Sequence, residues 1–421
     1  MTSPSPADAP SAGRLVARTT AIADPGPLLE LLPDDQPMVW LRRGEGIVAW
    51  GIAAECHTSG PDRFTEASDW WRDVAESAIV RDEVGIPGSG LICVGSFGFA
   101  DDPGESVLIV PQVVVGRRNG DAWVTVIGDE LSPVVPSLTL QESPDAPIDI
   151  VYSDGGISGM AWEEVVWEAV LRINAGELEK VVLARDLVAT AAAPIDVRWP
   201  LRRLGSRYEM CWTFHVDGLF GATPELLVRR ERGLVTSRVL AGTIRRTGHD
   251  ARDLALAATL ARSSKDLEEH EYAVRSVAEA LAPHCSSMNV PEAPFVLHLP
   301  NVMHLATDVA GVAHDSDGAS VLDLAAALHP SAAVGGTPTK VATEMISEIE
   351  GMDRGRYAAP VGWMDASGDG EFGIALRSAE ISGNRVRLFA GCGIVADSDP
   401  ESELAEAQAK FVPVRDSLAA D

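Results

Sequence analysis

The 421-residue sequence predicts an α+β protein, because strand-like and helix-like patterns follow one another without the regular spacing of a βαβ fold. From about residue 14 to 150, short apolar or alternating runs such as MVWLRR and GIVAWGIA are separated by Gly, Pro and Asp, which is typical of β-strands. Beyond residue 150, helical and strand-like stretches alternate, and no repeat of 20 to 50 residues is visible.

Composition divides the chain into three portions. Residues 1–13 are rich in Ser, Pro, Ala and Asp without periodicity, and they are predicted to form a disordered leader. Residues 14–150 are the strand-rich N-terminal portion of the fold, with one helix predicted at about 68–80. Residues 151–421 form the portion that carries the candidate catalytic groups.

Helices and strands after residue 150 have local start and stop signals. AWEEVVWEAVLRINAG places its apolar residues on one helical stripe and ends at Gly176. The next run, LEKVVLARDLVA, is rich in β-branched residues, so Lys180 is predicted to begin a strand. Further helices are predicted at about residues 264–282, 320–329, 338–350 and 399–419. Thr337 is the expected N-cap of the third, and Ser398 with Glu401 the expected capping box of the fourth.

The composition excludes several classes of protein. No apolar run reaches 18 residues and no secretory signal begins the sequence, so neither a membrane protein nor an exported one is expected and the cytoplasm is the expected location. The five cysteines are scattered and never form a CxxC pair, which argues against a disulfide framework and against a zinc site.

The net charge and the lysine content limit the kinds of partner and substrate that are expected. The formal net charge is −28, so nucleic acid and anionic membrane surfaces are not expected as partners. An anionic small substrate would need a local cationic site. Only four of the 34 basic residues are lysines, and a chain that otherwise uses arginine keeps lysine where a compact or deprotonatable amine is needed. These lysines are Lys180, Lys265, Lys340 and Lys410.

Two predicted helices carry acidic groups at helical spacing. Asp266 and Glu269 share one face of the first, while Glu403, Glu406 and Lys410 share one face of the second. Taken alone, the first set favours a solvated acidic face, and the Glu406–Lys410 spacing favours an ordinary surface ion pair. If both faces turn inward, they offer the hard carboxylate oxygens that magnesium prefers.

A strand near the C-terminus carries an arginine, followed by closely spaced glycines. Arg377 lies in the alternating run GEFGIALRSAEI, and LFAGCGIVADS contains Gly391 and Gly393. The glycines indicate either a turn or bulge with unusual backbone angles, or a place where main-chain N–H groups approach a carboxylate closely. The residues alone leave both readings open.

Ten segments between about residues 160 and 411 resemble, in order, the chorismate-utilising enzymes, a family that includes isochorismate, salicylate, anthranilate and aminodeoxychorismate synthases. The resemblance implies one large fold in which big antiparallel sheets form a sandwich surrounded by helices. The segments are KVVLAR, ATPELLVR, LAGTIRR, SSKDLEEH, HLATDVAG, LHPSAAVGGTP, YAAPVGWMD, GDGEFGIALR, LFAGCGIV and ESELAEAQAK.

The resemblance also implies roles for individual residues. Glu269 and Glu406 match direct magnesium ligands, whereas Asp266 and Glu403 match residues that act through water or support the ligands. The residues matched to substrate binding are Arg377, Gly391 and Lys410, joined by His304 and Ala306 of the HLAT segment. Chorismate is a dianion, so a metal and two cations would balance its charge.

The family adds a nucleophile to ring carbon 2 of chorismate while the hydroxyl on carbon 4 leaves, which requires a base and an acid. Lys180 and Glu225 match those two positions. Members that use ammonia carry glutamine at the position of Lys180, so water is the expected nucleophile and no glutaminase subunit is expected. A lysine base must lower its pKa from roughly 10.4 to near neutrality, which the apolar neighbours Val182 and Ala184 favour.

Isochorismate is the expected product, made by a magnesium-dependent isomerase that is expected to be monomeric. Members that go on to eliminate pyruvate tend to carry threonine where this chain has Ala333, and they tend to differ at HLAT. The alternatives are a salicylate synthase and a non-catalytic chorismate-binding paralogue. The same reaction begins menaquinone, catechol siderophore and salicylate-derived pathways, which the sequence does not separate.

Overall fold

The computed structural model describes residues 14–130, 135–299, 302–314 and 318–420, apart from the side chains of Lys265 and Glu269. The predicted leader, residues 1–13, lies outside the described residues. Within them the α+β prediction is confirmed. The helices are α1 (Arg63–Ser77), α2 (Gly159–Asn174), α3 (Arg198–Arg207), α4 (Asp250–Leu260), α5 (Ser264–Leu281), α6 (Val321–Leu328), α7 (Thr339–Ile349) and α8 (Pro400–Leu418).

Twenty-one strands form one hydrogen-bonded network in the part of the chain that the structure describes. They are β1 (Val16–Ile22), β2 (Met38–Arg42), β3 (Glu45–Thr58), β4 (Ile79–Asp82), β5 (Ile92–Ser96), β6 (Ser106–Arg118), β7 (Asp121–Gly128), β8 (Val151–Asp154), β9 (Lys180–Thr190), β10 (Trp212–Val216), β11 (Leu219–Thr223), β12 (Leu226–Glu231), β13 (Leu234–Arg245), β14 (Cys285–Asn289), β15 (Phe295–His298), β16 (Val302–Ala313), β17 (Gly336–Thr337), β18 (Pro360–Asp365), β19 (Gly370–Ile374), β20 (Ser378–Ser382) and β21 (Arg385–Ile394).

The strands form two antiparallel layers joined at β3 and β6. One layer runs β9–β21–β20–β11–β10–β2–β3, and the other runs β6–β5–β18–β19–β12–β13–β16. Strand β10 packs against β5 and β18 without pairing with them, as expected where one layer covers another. Helices α5 and α8 pack on β13 and β21. The predicted sandwich surrounded by helices is confirmed.

One hydrophobic core joins the portions before and after residue 150. The rings of Trp40 in β2 and Phe214 in β10 have centroids 6.4 Å apart, and the rings of Phe97 and Phe372 lie edge to face at 6.1 Å. The portions 14–150 and 151–421 therefore share a core, and the division between them stays a prediction. None of the described helices is long and apolar enough to span a bilayer.

Two helix starts differ from their predictions. Thr337 ends β17, and Pro338 takes the N-cap position of α7. Asp399, rather than Ser398, caps α8, because its carboxylate accepts the N–H of Ser402 at 2.9 Å. The hydroxyl of Ser398 instead donates to Glu403 at 2.8 Å.

One edge of β9 is incomplete. On one side, β9 pairs with β21 from Val181 to Thr190. On the other side, β17 pairs with Lys180 and Val181, and β8 pairs with residues 187–190. Residues 182–186 therefore have no described strand beside them on that edge, although their backbone lies in the interior.

We expect Gly116→Ala to destabilise the protein. An alanine Cβ at this position in β6 would lie 2.1 Å from the buried ring of Trp123. Overpacking of this kind costs roughly 1–3 kcal/mol of unfolding free energy. Gly128→Ala is the matched control, since a Cβ at Gly128 in the neighbouring β7 would meet no atom within 4 Å. Chemical denaturation of both variants measures the difference, and equal stability of the two would contradict the expectation.

Candidate active site

A cavity of about 320 Å³ lies where β9, β13, β16 and β21 meet helices α5 and α8. Most of the residues predicted from the sequence line it together. Those residues are Lys180, Glu225, Asp266, His304, Arg377, Gly391, Glu403, Glu406 and Lys410. Ala306 is fully buried in β16 and is not part of this lining. The side chain of Glu269 lies outside the described residues.

Glu225 is a buried carboxyl group between β11 and β12, with 5% of its surface exposed. The backbone carbonyl of Glu225 accepts a hydrogen bond from the N–H of Ile374 at 3.2 Å, which fixes the backbone against β19. Burial raises the pKa of Glu225 to about 8, against the opposing effects of a hydrogen bond from the Leu240 backbone and the charges of Arg377 and Lys180. The group is therefore protonated at neutral pH and can donate a proton.

Lys180 begins β9, as predicted, and is half-buried. Val182, two residues along the same strand, lines the cavity beside it and is 8% exposed, while Ala184 is fully buried. The expected apolar neighbours are therefore in place. The charge of Lys180 acts on the pKa of Glu225, which places the two groups near each other in one cavity.

Lys410 and Glu406 form an ion pair that faces the cavity. Lys410 Nζ lies 2.7 Å from Glu406 Oε1 and donates to the Gly391 carbonyl at 2.8 Å. Burial acts to lower the pKa of Lys410, but the acidic groups beside it, Glu406 among them, hold that pKa above its usual range. The pKa of Glu406 is correspondingly lowered, since Lys410 outweighs the effect of burial. Lys410 is thus a stable cation at the cavity wall.

Arg377 lies in the connection between β19 and β20, not within a strand as its alternating neighbours predicted. Its φ is 50°, a left-handed conformation that is uncommon for a residue with a Cβ. The Arg377 carbonyl accepts the N–H of Ala222 at 3.2 Å, and this bond holds the connection against β11. The charge of Arg377 lowers the pKa of both Glu225 and His304. Its guanidinium is therefore central to the cavity.

The two glycines of AGCG lie inside β21, where neither has a positive φ. A turn or bulge is therefore not the reason for them. A Cβ at Gly391 would lie 2.9 Å from the Leu183 carbonyl oxygen and 3.3 Å from the hydroxyl oxygen of Tyr357. Glycine at 391 is required by close packing at the cavity wall.

His304 presents one ring nitrogen to the cavity side. Its Nδ1 lies 2.9 Å from the Thr243 hydroxyl, while Nε2 is buried without a hydrogen-bond partner among the described residues. Burial, with the charges of Arg377 and Lys410, lowers the pKa of His304 to about 3. The ring is neutral, and Nε2 can bind a polar group of a ligand.

Asp266, Glu403 and Glu406 all line the cavity. Ligand atoms of Cys392, Glu403 and Glu406 lie within 4.8 Å of one another. Burial raises the pKa of Cys392 to about 12, so its thiol is protonated at neutral pH and the carboxylate oxygens are the available ligands. Gly242, with φ of 75°, leaves room for Asp266, whose Cβ would be 3.1 Å from a Cβ added there. This donor set fits magnesium.

Among the lining residues that the sequence analysis missed, three have polar side chains, which are Thr243, Arg354 and Tyr357. Thr243 and Tyr357 fall within LAGTIRR and YAAPVGWMD, segments that carry the family resemblance, so those segments were the available signal. Arg354 lies just before the second of these segments. Arg354 forms hydrogen bonds with residues distant in sequence, and no local pattern reveals such partners.

Comparisons with known proteins identify the family of the chain. Residues 20–419 match the chorismate binding enzyme family. Isochorismate synthase MenF of Bacillus subtilis (strain 168) is 32% identical over 402 residues, which cover 88% of this chain and 85% of that protein. The salicylate biosynthesis isochorismate synthase of Pseudomonas aeruginosa is 33% identical over 418 residues, which cover 91% of this chain and 85% of that protein.

Solved structures are similar to this chain as well. The crystal structure of the DhbC protein of Bacillus anthracis is 32% identical, with a TM-score of 0.77 over 93% of this chain and 98% of that one. The structure of MenF from Escherichia coli, at 23% identity, shares the fold with a TM-score of 0.79 over 97% of this chain and 95% of that one. Because the family match spans almost the whole sequence and includes every residue that lines the cavity, the chain belongs to the chorismate-binding enzyme family.

Proposed function

We propose that this protein is an isochorismate synthase, an isomerase that adds water to ring carbon 2 of chorismate as the 4-hydroxyl leaves. The observation that carries the proposal is the pairing of a lysine with a protonated, buried carboxyl group in one cavity. Lys180 and Glu225 both line it, and the pKa of Glu225 is raised to about 8. The names of the relatives from Bacillus subtilis and Pseudomonas aeruginosa support the same reaction.

The charges of the cavity suit a dianionic substrate. Arg377 and Lys410 supply two cations, and Gly391 leaves space beside them where a side chain would collide with Leu183 and Tyr357. Binding of the substrate carboxylates to these groups orients the ring. His304 Nε2 is an additional hydrogen-bonding group for a substrate oxygen.

The proton transfers follow from the two titratable groups. Lys180 is the proposed base that takes a proton from the attacking water, and Glu225 donates its proton to the departing 4-hydroxyl. Glu225 can do so at neutral pH because burial keeps it protonated. Each turnover leaves Lys180 protonated and Glu225 ionised, so proton exchange with solvent resets the site.

We also propose that magnesium binds at the acidic end of the cavity, held by Glu269 and Glu406, with Asp266 and Glu403 acting through water. When bound, the ion would neutralise a substrate carboxylate and fix its position. The support is a set of hard oxygen ligands at the cavity wall. We further propose that the protein is a cytoplasmic monomer. No glutaminase subunit is expected, because water rather than ammonia is the nucleophile.

The test is to incubate the purified protein with chorismate and magnesium, without ammonia or glutamine, and to separate the products by chromatography. A reversible mixture of chorismate and isochorismate with little pyruvate supports the proposal. Salicylate with stoichiometric pyruvate would assign the protein to the salicylate synthases. Absence of any turnover would favour a chorismate-binding paralogue without catalysis.

We expect Lys180→Ala to abolish turnover while chorismate still binds, because the variant lacks the base. Loss of a general base lowers kcat by roughly 10²- to 10⁴-fold. Lys340→Ala, an exposed lysine on α7, is the matched control and should keep wild-type activity. Turnover is measured by chromatography and binding by calorimetry. Wild-type turnover in Lys180→Ala would remove this residue as the base.

We expect kcat to fall as pH rises through about 8, because Glu225 then loses the proton that it must donate. Below that pH the acid stays protonated, so this group imposes no loss there. Glu225→Gln removes the ionisation, and its low residual activity should no longer show the alkaline fall. The pH profiles of both proteins provide the measurement, and an unchanged alkaline limb in Glu225→Gln would show that another group is responsible.

We expect Glu406→Gln to raise the magnesium concentration needed for half-maximal activity by at least about tenfold, because a charged ligand is replaced by a neutral one. Glu401→Gln, exposed in the first turn of the same helix, is the control. Magnesium titrations of activity and of thermal stability are compared. Identical titration curves for the two variants would rule out Glu406 as a ligand.

A further inference from the structure

Backbone groups at the open edge of β9 are bonded by side chains instead of a strand. Between β17 and β8, the N–H of Val182 donates to the Gly335 carbonyl at 2.9 Å. Arg354 donates to the Val182 carbonyl at 2.6 Å, and the N–H of Ala184 donates to Glu350 Oε2 at 2.8 Å. Trp162 Nε1 donates to the Ala184 carbonyl at 3.0 Å. Three side chains thus replace the missing strand.

Glu350 and Arg354 form one buried unit. Glu350 is fully buried and Arg354 is 3% exposed. The guanidinium donates to both carboxylate oxygens, at 2.7 and 2.6 Å, and also to the Val334 carbonyl at 2.9 Å. It stacks on the ring of Phe99 at 4.2 Å. This pair, here called the clamp, therefore connects β9 to the loop at 331–335.

Stability alone is a weak reason for such a pair. Two charges taken out of water lose hydration, and apolar residues of similar volume often replace a buried ion pair without loss of stability. Apolar residues here would leave the carbonyls of Val182 and Val334 and the N–H of Ala184 without partners. The backbone could satisfy these groups only by moving toward water.

The groups held by the clamp adjoin the reacting residues. Val182 lies two residues after Lys180 in β9, and Val334 follows Ala333 in the loop, and all four line the cavity. We propose that Glu350 and Arg354 are positioning residues, which hold β9 and this loop in the arrangement that places Lys180 at the substrate. This inference rests on the proposed role of Lys180 as the base.

The test compares two arginine-to-methionine variants. Arg354→Met removes the clamp, whereas Arg63→Met removes a buried arginine that also bonds backbone carbonyls, those of Gly98, Gly60 and Phe99, but does not line the cavity. We expect Arg354→Met to lower kcat by roughly 10²-fold, the effect of displacing a catalytic group by about 1 Å, while KM for chorismate changes less than about threefold. Arg63→Met should keep kcat.

Conservative variants strengthen the comparison. Arg354→Lys keeps one charged donor and should recover part of kcat, whereas Glu350→Gln keeps the acceptor for Ala184 and should lose less than Arg354→Met. If Arg354→Met does not fold, Glu350→Gln carries the same comparison of kcat with KM. A rise in KM at constant kcat, or an equal loss of kcat in Arg63→Met, overturns the proposal.

Amide hydrogen exchange separates this inference from the proposed function. In the clamp variants, faster exchange should be confined to peptides covering residues 179–186 and 331–335. This measurement does not depend on the reaction catalysed. If the wild-type protein makes no isochorismate, the proposed function fails, and unchanged exchange in these peptides would overturn the clamp independently.

Discussion

The antiparallel pairing of β9 with β21 is the constraint on which the site depends. It sets Lys180 at the start of one strand and places Gly391 of the other directly opposite Ala184. The Gly391 carbonyl accepts a hydrogen bond from the ammonium of Lys410 in α8, and the absence of a side chain lets Leu183 and Tyr357 pack closely against Gly391. A shift of one residue in this pairing would turn the side chains of the shifted strand to the opposite face. Register therefore determines where Lys180 and Lys410 lie relative to each other.

Burial determines the charge states of the groups that line the cavity, although the chain as a whole carries a net charge of −28. Salt screens charges that lie more than about 8 Å apart, so the cations Arg377 and Lys410 act at short range inside the cavity. Burial also keeps Glu225 protonated, since the pKa is about 8 in the folded protein and 4.5 is its ordinary value. The contribution of this group to stability is complete below about 4.5 and is lost as pH rises through about 8. Glu225 thus stays protonated at neutral pH, and its contribution to stability is lost at alkaline pH.

Sequence patterns predicted the parts of the structure that depend on local signals. Lys180 begins a strand, and α5 spans Ser264–Leu281, close to its predicted bounds, because the signals for both are local. Helix α3 was missed because Pro200, Gly205 and its arginines weaken the apolar periodicity, and α4 because it has only 11 residues with charges in its first turn. Packing on neighbouring strands decides the conformation of both helices. The clamp was missed for a different reason, since its partners lie up to 172 residues away in sequence.

The departures from local rules gather around the cavity for a common physical reason. A cavity interrupts both strand pairing and close packing, so the residues beside it adopt unusual conformations or find unusual hydrogen-bond partners. Arg377 adopts a left-handed conformation, Glu225 is buried, and the backbone of β9 is hydrogen-bonded by side chains at its open edge. Strain and buried polar groups persist only where surrounding structure holds them in place. The two layers of the sandwich supply that support, which allows the fold to hold Lys180 and the protonated Glu225 in one cavity.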